Sequence, residues 1–207
     1  MPHQFFDIAF TPTVRNVQEE LGSRSAYARM DSLPEAANHK LTEAEAAFIA
    51  ARSSLYMATV SETGWPYIQH RGGPPGFVRV LDDGTIGFAD YRGNRQYVSV
   101  GNLMTDGRVS LFFMDYAKKT RLKMFGRARI IGLDERSTLS RLEMPDYRAR
   151  VERGFVIAVE GFDWNCPQHI IERYTLEELR GVTATSTTRI SELEAELARR
   201  PRLQSGD

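Results

Sequence analysis

The middle of the chain consists of short apolar segments that recur about every ten residues and are separated by turn residues. The strand candidates are LYMATV, WPYIQHR, FVRVL, TIGFAD, RVSLFFMDY, TRLKMFGRARIIG and RGFVIAVEGFDWN. Thr63-Gly64 separates the first two segments, and Asp83-Gly84 separates the next two. An Asp-Gly pair between apolar segments is one of the strongest local signals for a β-hairpin. The spacing is typical of an all-β barrel or sandwich.

Helical patterns flank this block. Thr11 precedes a helix-compatible run that ends near Met30, and Thr42 with Glu45 forms a capping box at the start of LTEAEAAFIAARS. Within the block, NRQYVSVGNLMTDG predicts a short helix that ends at Gly107, and DERSTLSRLE predicts another.

The C-terminal segment carries Ile190, Leu193 and Leu197 at helical spacing before Pro201. Two turns of apolar stripe are too short for an independent coiled coil. We therefore predict a docking helix with a frayed end, and the alternative is an arm that binds a partner.

Composition narrows the classes of function. The 207 residues carry 27 Lys and Arg against 27 Asp and Glu, so no net field attracts nucleic acid or anionic lipid. The single cysteine, Cys166, excludes an internal disulfide framework and fits a reducing compartment. There is no basic, apolar leader and no apolar run of transmembrane length. We expect a cytoplasmic protein with neither membrane nor nucleic-acid partners.

The sequence lacks the motifs of several common metal, nucleotide and catalytic sites. The four histidines, at positions 3, 39, 70 and 169, do not have the spacing of a zinc site, so we predict no metal. The glycine patterns of dinucleotide-binding folds, P-loops and the nucleophile elbow of hydrolases are also missing from the sequence.

The stretch HRGGPPGFVRV, residues 70–80, interrupts the strand pattern with glycines and prolines. Such residues weaken a strand, and they are used where a backbone turns sharply or approaches another group closely. Arg71 ends a strand here and is followed by glycines whose N–H groups are accessible to a ligand. The alternative is a proline-rich bulge that joins two strands and leaves Arg71 in solvent.

The stretch DYRGNRQ, residues 90–96, follows a strand and precedes a predicted helix. It places Arg92, Asn94, Arg95 and Gln96 around one glycine. Helix N-termini offer unpaired N–H groups, and guanidinium groups match phosphate oxygens, so this turn is a candidate anion site. The alternative is an ordinary polar loop.

A third stretch, FDWNCPQHI, places Trp164, Gln168 and His169 around Cys166 at the end of the last strand. The flanking residues match no signature of a thiol enzyme, which argues against a nucleophilic cysteine. We expect the segment to close the barrel with polar side chains near a ligand, or simply to pack.

From about Ala51 to Gly132 the chain resembles the pyridoxamine 5′-phosphate oxidase-related FMN-binding split barrels. The shared order is GWPYIQHR on a strand, a hairpin, GNRQ, then RVSLFF and RLKMFGRAR. The resemblance implies a mainly β fold, a six-stranded antiparallel split β-barrel with helices at both termini. It divides the chain into an N-terminal helical extension (1–50), the barrel (51–180) and a C-terminal helical tail (181–207).

The resemblance also implies cofactor-binding positions. Arg71 matches a strand arginine that helps to hold the flavin phosphate or ribityl chain, and Asn94 and Arg95 match the Ser-Arg of the phosphate-binding turn. Gln96 stands where the oxidase has lysine, a loss of charge for which Arg92 or a backbone N–H compensates.

Arg121 stands where the oxidase has a glutamine that touches the flavin ring system. A cation there favours the anionic reduced flavin. The segment from Gly72 to Gly76 is an insertion relative to the oxidase, and we predict that the N–H groups of Gly72 and Gly73 face the ring.

The Arg and His motif that grips the oxidase's substrate has no counterpart here, so the resemblance does not imply that specific activity. It implies an FMN-dependent oxidoreductase that acts on an unknown small molecule, as a homodimer with the flavin at the subunit interface. Trp164 and Gln168 are predicted on the substrate side, with His169 as proton donor. The alternatives are a non-catalytic flavin-binding module, the same barrel with deazaflavin or haem, and a barrel without ligand.

Overall fold

The computed structural model describes residues 3–32, 38–164 and 167–199. Its α-helices are α1 (Gln4–Ala9), α2 (Pro12–Glu20), α3 (Arg24–Ala28), α4 (Glu43–Ala50), α5 (Val98–Thr105), α6 (Arg136–Leu142) and α7 (Leu176–Arg199), with a 3-10 turn at Arg29–Ser32. Its strands are β1 (Ser54–Val60), β2 (Pro66–Gly72), β3 (Val78–Asp82), β4 (Thr85–Tyr91), β5 (Arg108–Asp115), β6 (Thr120–Ile131) and β7 (Val151–Trp164).

The strands form one antiparallel sheet in the order β2-β1-β5-β6-β7-β4-β3. The predicted fold class is therefore confirmed, since the structure is mainly β and antiparallel with helices at both ends. The predicted number of strands is corrected from six to seven. The sheet is not closed, and β2 and β3 form its two edges.

The core lies on one face of this sheet because apolar residues alternate along the strands. Leu55 and Met57 of β1 are buried, and the residue between them, Tyr56, points to the opposite face. The cross-strand neighbours Leu111 and Met124 continue the buried face across β5 and β6. Complete burial of such a side chain contributes about 1.5–3 kcal/mol.

The sheet curls so that strands far apart in its order come into contact. Four strands separate β2 from β4, yet Arg71 Nη1 of β2 lies 2.6 Å from Asp90 Oδ1 of β4. The Arg71 guanidinium also lies over the ring of Phe155 on β7, 5.2 Å from the ring centre. Side chains therefore join β2 and β4 across the core face of the sheet.

The glycines and prolines after β2 form a tight turn. The Phe77 N–H donates to the Pro74 carbonyl at 3.0 Å, and Gly76 has a φ of 84°. Pro at the second position and a positive φ at the third are the features of a type II turn.

The prediction that the Gly73 N–H faces a flavin ring is wrong in this structure, because this group donates to the Ser53 carbonyl at 3.0 Å. A Cβ at Gly73 would lie 2.7 Å from Cβ of Phe77, so close packing explains the glycine. Gly72 pairs with Ser54 at the end of β2, and its contact with the ring stays a prediction.

Both predicted helix starts near the N-terminus are confirmed. The Thr11 side chain accepts a hydrogen bond from the Val14 N–H, and Thr42 with Glu45 forms a complete capping box. In α1, Phe5 stacks on Phe125 of β6 with 4.7 Å between ring centres. The N-terminal helix α1 thus covers part of the sheet face opposite the core.

The chain forms two compact units, Met1–Asp115 with Thr120–Gln168, and Tyr116–Lys119 with His169–Asp207. Within the second unit, Lys119 Nζ lies 2.7 Å from Glu172 Oε1. A capping box of Thr175 and Glu178 begins α7, so the predicted tail boundary at 181 falls inside this helix. In the described part of the chain, no helix is long and apolar enough to cross a membrane.

Candidate functional site

A cavity of about 230 Å³ lies between β2, β4, the turn after β4 and the start of β7. Its lining is mostly polar and includes three of the predicted cofactor residues. The lining residues are Gln69, Arg71, Asp90, Tyr91, Gly93, Asn94, Arg95, Tyr97, Ser99, Val100 and Glu152.

Arg71 is the most enclosed cation of the cavity, with 13% of its side chain exposed. The alternative in which Arg71 is solvated is therefore wrong. Burial lowers the pKa of Arg71 although Asp90 opposes this shift, and burial raises the pKa of Asp90 although Arg71 and Arg153 oppose it. For the pKa of both partners, the effect of desolvation thus outweighs that of the attraction between the charges. The Arg71 Nε has no hydrogen-bond acceptor among the described residues. Because Arg71 lines the cavity, its guanidinium is placed to contact an anion bound there.

A second group of charges extends this pair along the cavity. Arg153 Nε lies 3.3 Å from Asp90 Oδ2, and Arg153 Nη2 lies 2.9 Å from Glu152 Oε2. The Tyr97 hydroxyl donates to Glu152 Oε2 at 3.1 Å, and Arg92 Nε lies 3.6 Å from Glu152 Oε1. One network of alternating charges therefore connects β2, β4 and β7.

The turn before α5 has an unusual backbone conformation that side-chain hydrogen bonds accompany. Arg95 and Tyr97 have φ values of 63° and 54°, a conformation that costs roughly 1–3 kcal/mol for a residue other than glycine. The Asn94 side-chain oxygen accepts the Gln96 N–H at 3.2 Å, and Arg95 Nε donates to the Tyr97 hydroxyl at 3.3 Å.

The helix that follows this turn has no side-chain cap at its N-terminus. Ser99 and Val100, in its first turn, line the cavity. Because the first N–H groups of a helix lack partners within it and attract negative charge, this end of α5 favours an anion in the cavity. The predicted anion site thus brings Arg71, Asn94 and Arg95 together, whereas Gln96 is exposed and does not line the cavity.

Arg121 lies on the other face of the sheet. It pairs with Met114 of β5, whose face is opposite to that of the buried Leu111 and Phe113. Its guanidinium is 6.0 Å from the ring centre of Phe112, and its Nε is buried without an acceptor among the described residues. Arg71, in contrast, pairs with the buried Leu55 on the core face. One copy of the chain therefore does not bring Arg71 and Arg121 into the same cavity.

Trp164 has a partner within the chain. Its indole N–H donates to Glu45 Oε1 at 2.7 Å, and its ring packs edge-on against Phe48 with 4.8 Å between centres. Burial alone would raise the pKa of Glu45, but hydrogen bonds from Thr42 and Trp164 lower it overall. Trp164 thus ties the end of β7 to α4, and its substrate contact stays a prediction.

The other residues of that segment are less constrained. Gln168 and His169 form an exposed turn, in which His169 has a φ of 62°. Their predicted roles at the substrate stay predictions. Asn165 and Cys166 lie outside the described residues.

We expect Trp164→Phe to destabilise the fold by about 1–2 kcal/mol at pH 7, because the carboxylate loses a donor while the aromatic packing is kept. Trp164 helps to lower the pKa of Glu45 from 4.5. The wild type therefore has this additional stability at pH values above 4.5, where Glu45 is ionised. The difference from the wild type should therefore shrink as the pH falls below about 4.5. Urea unfolding at several pH values measures it, and a difference that grows in acid would contradict the assignment.

Several residues in or beside the cavity were not predicted as site residues from the sequence. Gln69 precedes Arg71 by two residues, so strand alternation places both on one face of the sheet. This alternation could have predicted Gln69 from the sequence. Ser99 is in the first turn of the predicted helix, and its hydroxyl lies 3.0 Å from Gln69 Oε1. Glu152 and Arg153 reach the site through the pairing of β7 with β4, for which the sequence offers no local signal.

Comparisons with known proteins find relatives of low sequence identity. No curated protein matches the chain significantly. HupZ of Group A Streptococcus is 18% identical, with 65% of this chain and 99% of that chain covered and a TM-score of 0.46. A putative pyridoxamine 5′-phosphate oxidase of Lactobacillus delbrueckii is 18% identical over 60% of this chain and 94% of its own, with a TM-score of 0.46. An FMN-binding protein of Syntrophomonas wolfei is 15% identical over 74% and 95%, with a TM-score of 0.41.

The family model described as pyridoxamine 5′-phosphate oxidase matches residues 41–171. This range contains all seven strands of the sheet and every residue that lines the cavity. Since the match extends over more than half of the sequence, the chain belongs to the pyridoxamine 5′-phosphate oxidase family.

Proposed function

We propose that the protein is an FMN-dependent oxidoreductase and that the cavity between β2, β4 and α5 binds the phosphate end of the flavin. The observation that carries this proposal is the convergence of Arg71, Arg95 and the uncapped N-terminus of α5 on one polar cavity. Helix N-termini are ready-made anion sites, and guanidinium groups bind phosphate through paired hydrogen bonds.

The charges around the cavity support an anionic ligand. Four guanidinium groups line the cavity or pair with its lining residues, but only two carboxylates, those of Asp90 and Glu152, do so among the described residues. Arg71 shares its one carboxylate partner, Asp90, with Arg153, so Asp90 does not neutralise Arg71 completely. A phosphate dianion would supply the missing negative charge. Its attraction to the guanidinium groups is strong there because the site is partly shielded from water.

The cavity holds only part of the ligand. Its volume of about 230 Å³ is below the range of roughly 300–1,000 Å³ that is usual for complete small-molecule sites. The phosphate and the adjoining chain fit such a space, and the flavin ring then extends beyond it. Arg121, with its unpartnered Nε on the other face of the sheet, is the cation that we assign to the ring.

This assignment requires two copies of the chain. Arg71 and Arg121 point to opposite faces, so a flavin that contacts both takes one from each copy. The face that carries Arg121 also exposes Tyr56 of β1 and Ile68 of β2, which form an apolar surface suited to a second subunit. We therefore propose a homodimer with the flavin at its interface.

The residues divide the work as follows. Arg71 and Arg95 bind the phosphate, and Asp90 holds the Arg71 guanidinium in place between β2 and β4. FMN, when bound, supplies the group that accepts and passes on a hydride or electrons. The proposed substrate is a small molecule. We assign Gln168 to the side of the flavin on which the substrate binds, and His169 to the role of proton donor.

The absorption spectrum of the purified protein, recorded before and after heat release of the chromophore, tests the proposal. We expect the two-band spectrum of a flavin, release of FMN, and turnover with a nicotinamide donor. Binding of FMN without turnover with any donor would make the protein a flavin-binding module. A Soret band or the single band of a deazaflavin would replace the cofactor assignment.

A further inference from the structure

The helix α7 exposes large apolar side chains along one side. Leu176, Leu179, Ile190 and Leu193 are 75%, 46%, 56% and 41% exposed. Apolar residues scattered singly on a surface are ordinary, but a row of them along one helix indicates a surface that another element covers. The capping box of Thr175 and Glu178 makes the helix longer at its start than the sequence pattern indicated.

The spacing of this row is that of a coiled coil. If Leu176 occupies position a of a heptad, then Leu179 is at d, and the next pairs are Thr183 with Ser186 and Ile190 with Leu193. The 24 residues of α7 cover more than three heptads. A β-branched residue at a with leucine at d, as in the last pair, favours two-stranded parallel coiled coils.

The flanking charges favour a second copy of the same helix. In this heptad frame Arg189 is at position g and Glu194 is at the following e position. Positions g and e of neighbouring parallel helices face each other, so each copy's Arg189 faces Glu194 of the other.

We propose that α7 pairs in parallel with α7 of a second copy of this chain to form a two-stranded coiled coil. The layer of Thr183 and Ser186 in the middle of the coiled coil is polar, which lowers its stability. The proposal rests on α7 alone, and it does not depend on the flavin site.

Cysteine cross-linking tests the pairing. In a Cys166→Ser background, which removes the only cysteine, we compare Ser186→Cys at position d with the matched control Thr188→Cys at position f. Both original side chains are exposed and polar. We expect mild oxidation to convert Ser186→Cys to a covalent dimer at least ~10-fold faster than Thr188→Cys, because d positions face each other. Equal rates, or no dimer at either position, would overturn the proposal.

A charge swap, made in the Ser186→Cys chain, tests the orientation. Arg189→Glu alone and Glu194→Arg alone place like charges across the interface, so each should slow the formation of the covalent dimer about fivefold. The double variant Arg189→Glu/Glu194→Arg restores opposite charges only in a parallel pair, and we expect its rate to return to within about twofold of the parent. A double variant that is as slow as the single ones would overturn the parallel arrangement.

Discussion

Arg71→Ala is expected to weaken FMN binding by about 100-fold, since truncating one partner of a buried, hydrogen-bonded charge pair costs roughly 2–5 kcal/mol. The side chain is enclosed on β2 and has an unpartnered Nε, and we assign it to the phosphate. Riboflavin, which has no phosphate, should lose almost no affinity. Quenching of flavin fluorescence at fixed ionic strength measures both ligands.

Removal of a buried arginine also disturbs folding, so the experiment needs a matched control. Arg52 forms a comparable pair with Asp115, at 2.9 Å and with 16% and 5% of the side chains exposed. It links the end of α4 to the end of β5, and it does not line the cavity. We expect Arg52→Ala to reduce stability to a similar extent while FMN affinity is retained. Equal losses of FMN and riboflavin affinity in Arg71→Ala would remove the phosphate role.

The hairpins of the sheet were predictable because their signals are local. Strand alternation and the pair Asp83-Gly84 place β3 and β4 correctly, with the turn between Asp82 and Thr85. The strand count of six came from the resemblance, and it was wrong because the sheet includes both β3 and β2 at its edges. The seven strand candidates read from local patterns are all in the sheet, so for the strand count the local signals were a better guide than the resemblance.

The candidate site was predictable in the same limited sense. Arg71 ends a strand, and Asn94 and Arg95 precede a helix, so each carried its own local signal. Arg153 reaches Asp90 only because β7 pairs with β4 in a register that puts these two residues opposite each other. The sequence alone offers no means to choose that register. Arg71, Arg92 and Arg95 were therefore predicted, whereas Arg153 and the acidic partners Asp90 and Glu152 were not.

Gly73 shows how one pattern allows two explanations. A glycine beside a strand arginine fits a backbone that approaches a ligand, and it equally fits a backbone that approaches another side chain. The structure supports the second, because the Phe77 ring packs where a Cβ would be. The same preference for small size serves both purposes, so only the neighbours decide between them.

Mixed dimers are expected to recover flavin binding that their parent variants have lost. We expect Arg121→Ala alone to weaken FMN binding by roughly 10- to 100-fold, as hydrogen bonds to charged groups contribute about 1.5–3 kcal/mol. When Arg71→Ala and Arg121→Ala chains with different affinity tags are co-expressed, one site of each mixed dimer holds both arginines. That dimer should bind one FMN with nearly wild-type affinity, as measured by titration after tandem purification.

The matched control is a mixed dimer of Arg71→Ala and Arg95→Ala. Both arginines line the cavity of the same copy, so every site in this dimer lacks one of them and no recovery is expected. Equal recovery in both mixtures would show that binding responds to mixing itself rather than to a shared site. Full FMN affinity in Arg121→Ala alone would show that Arg121 has no part in the site, although phosphate binding by Arg71 would be unaffected. If both single variants lose affinity and their mixed dimer shows no recovery, each flavin takes both arginines from one copy, and the shared site is wrong.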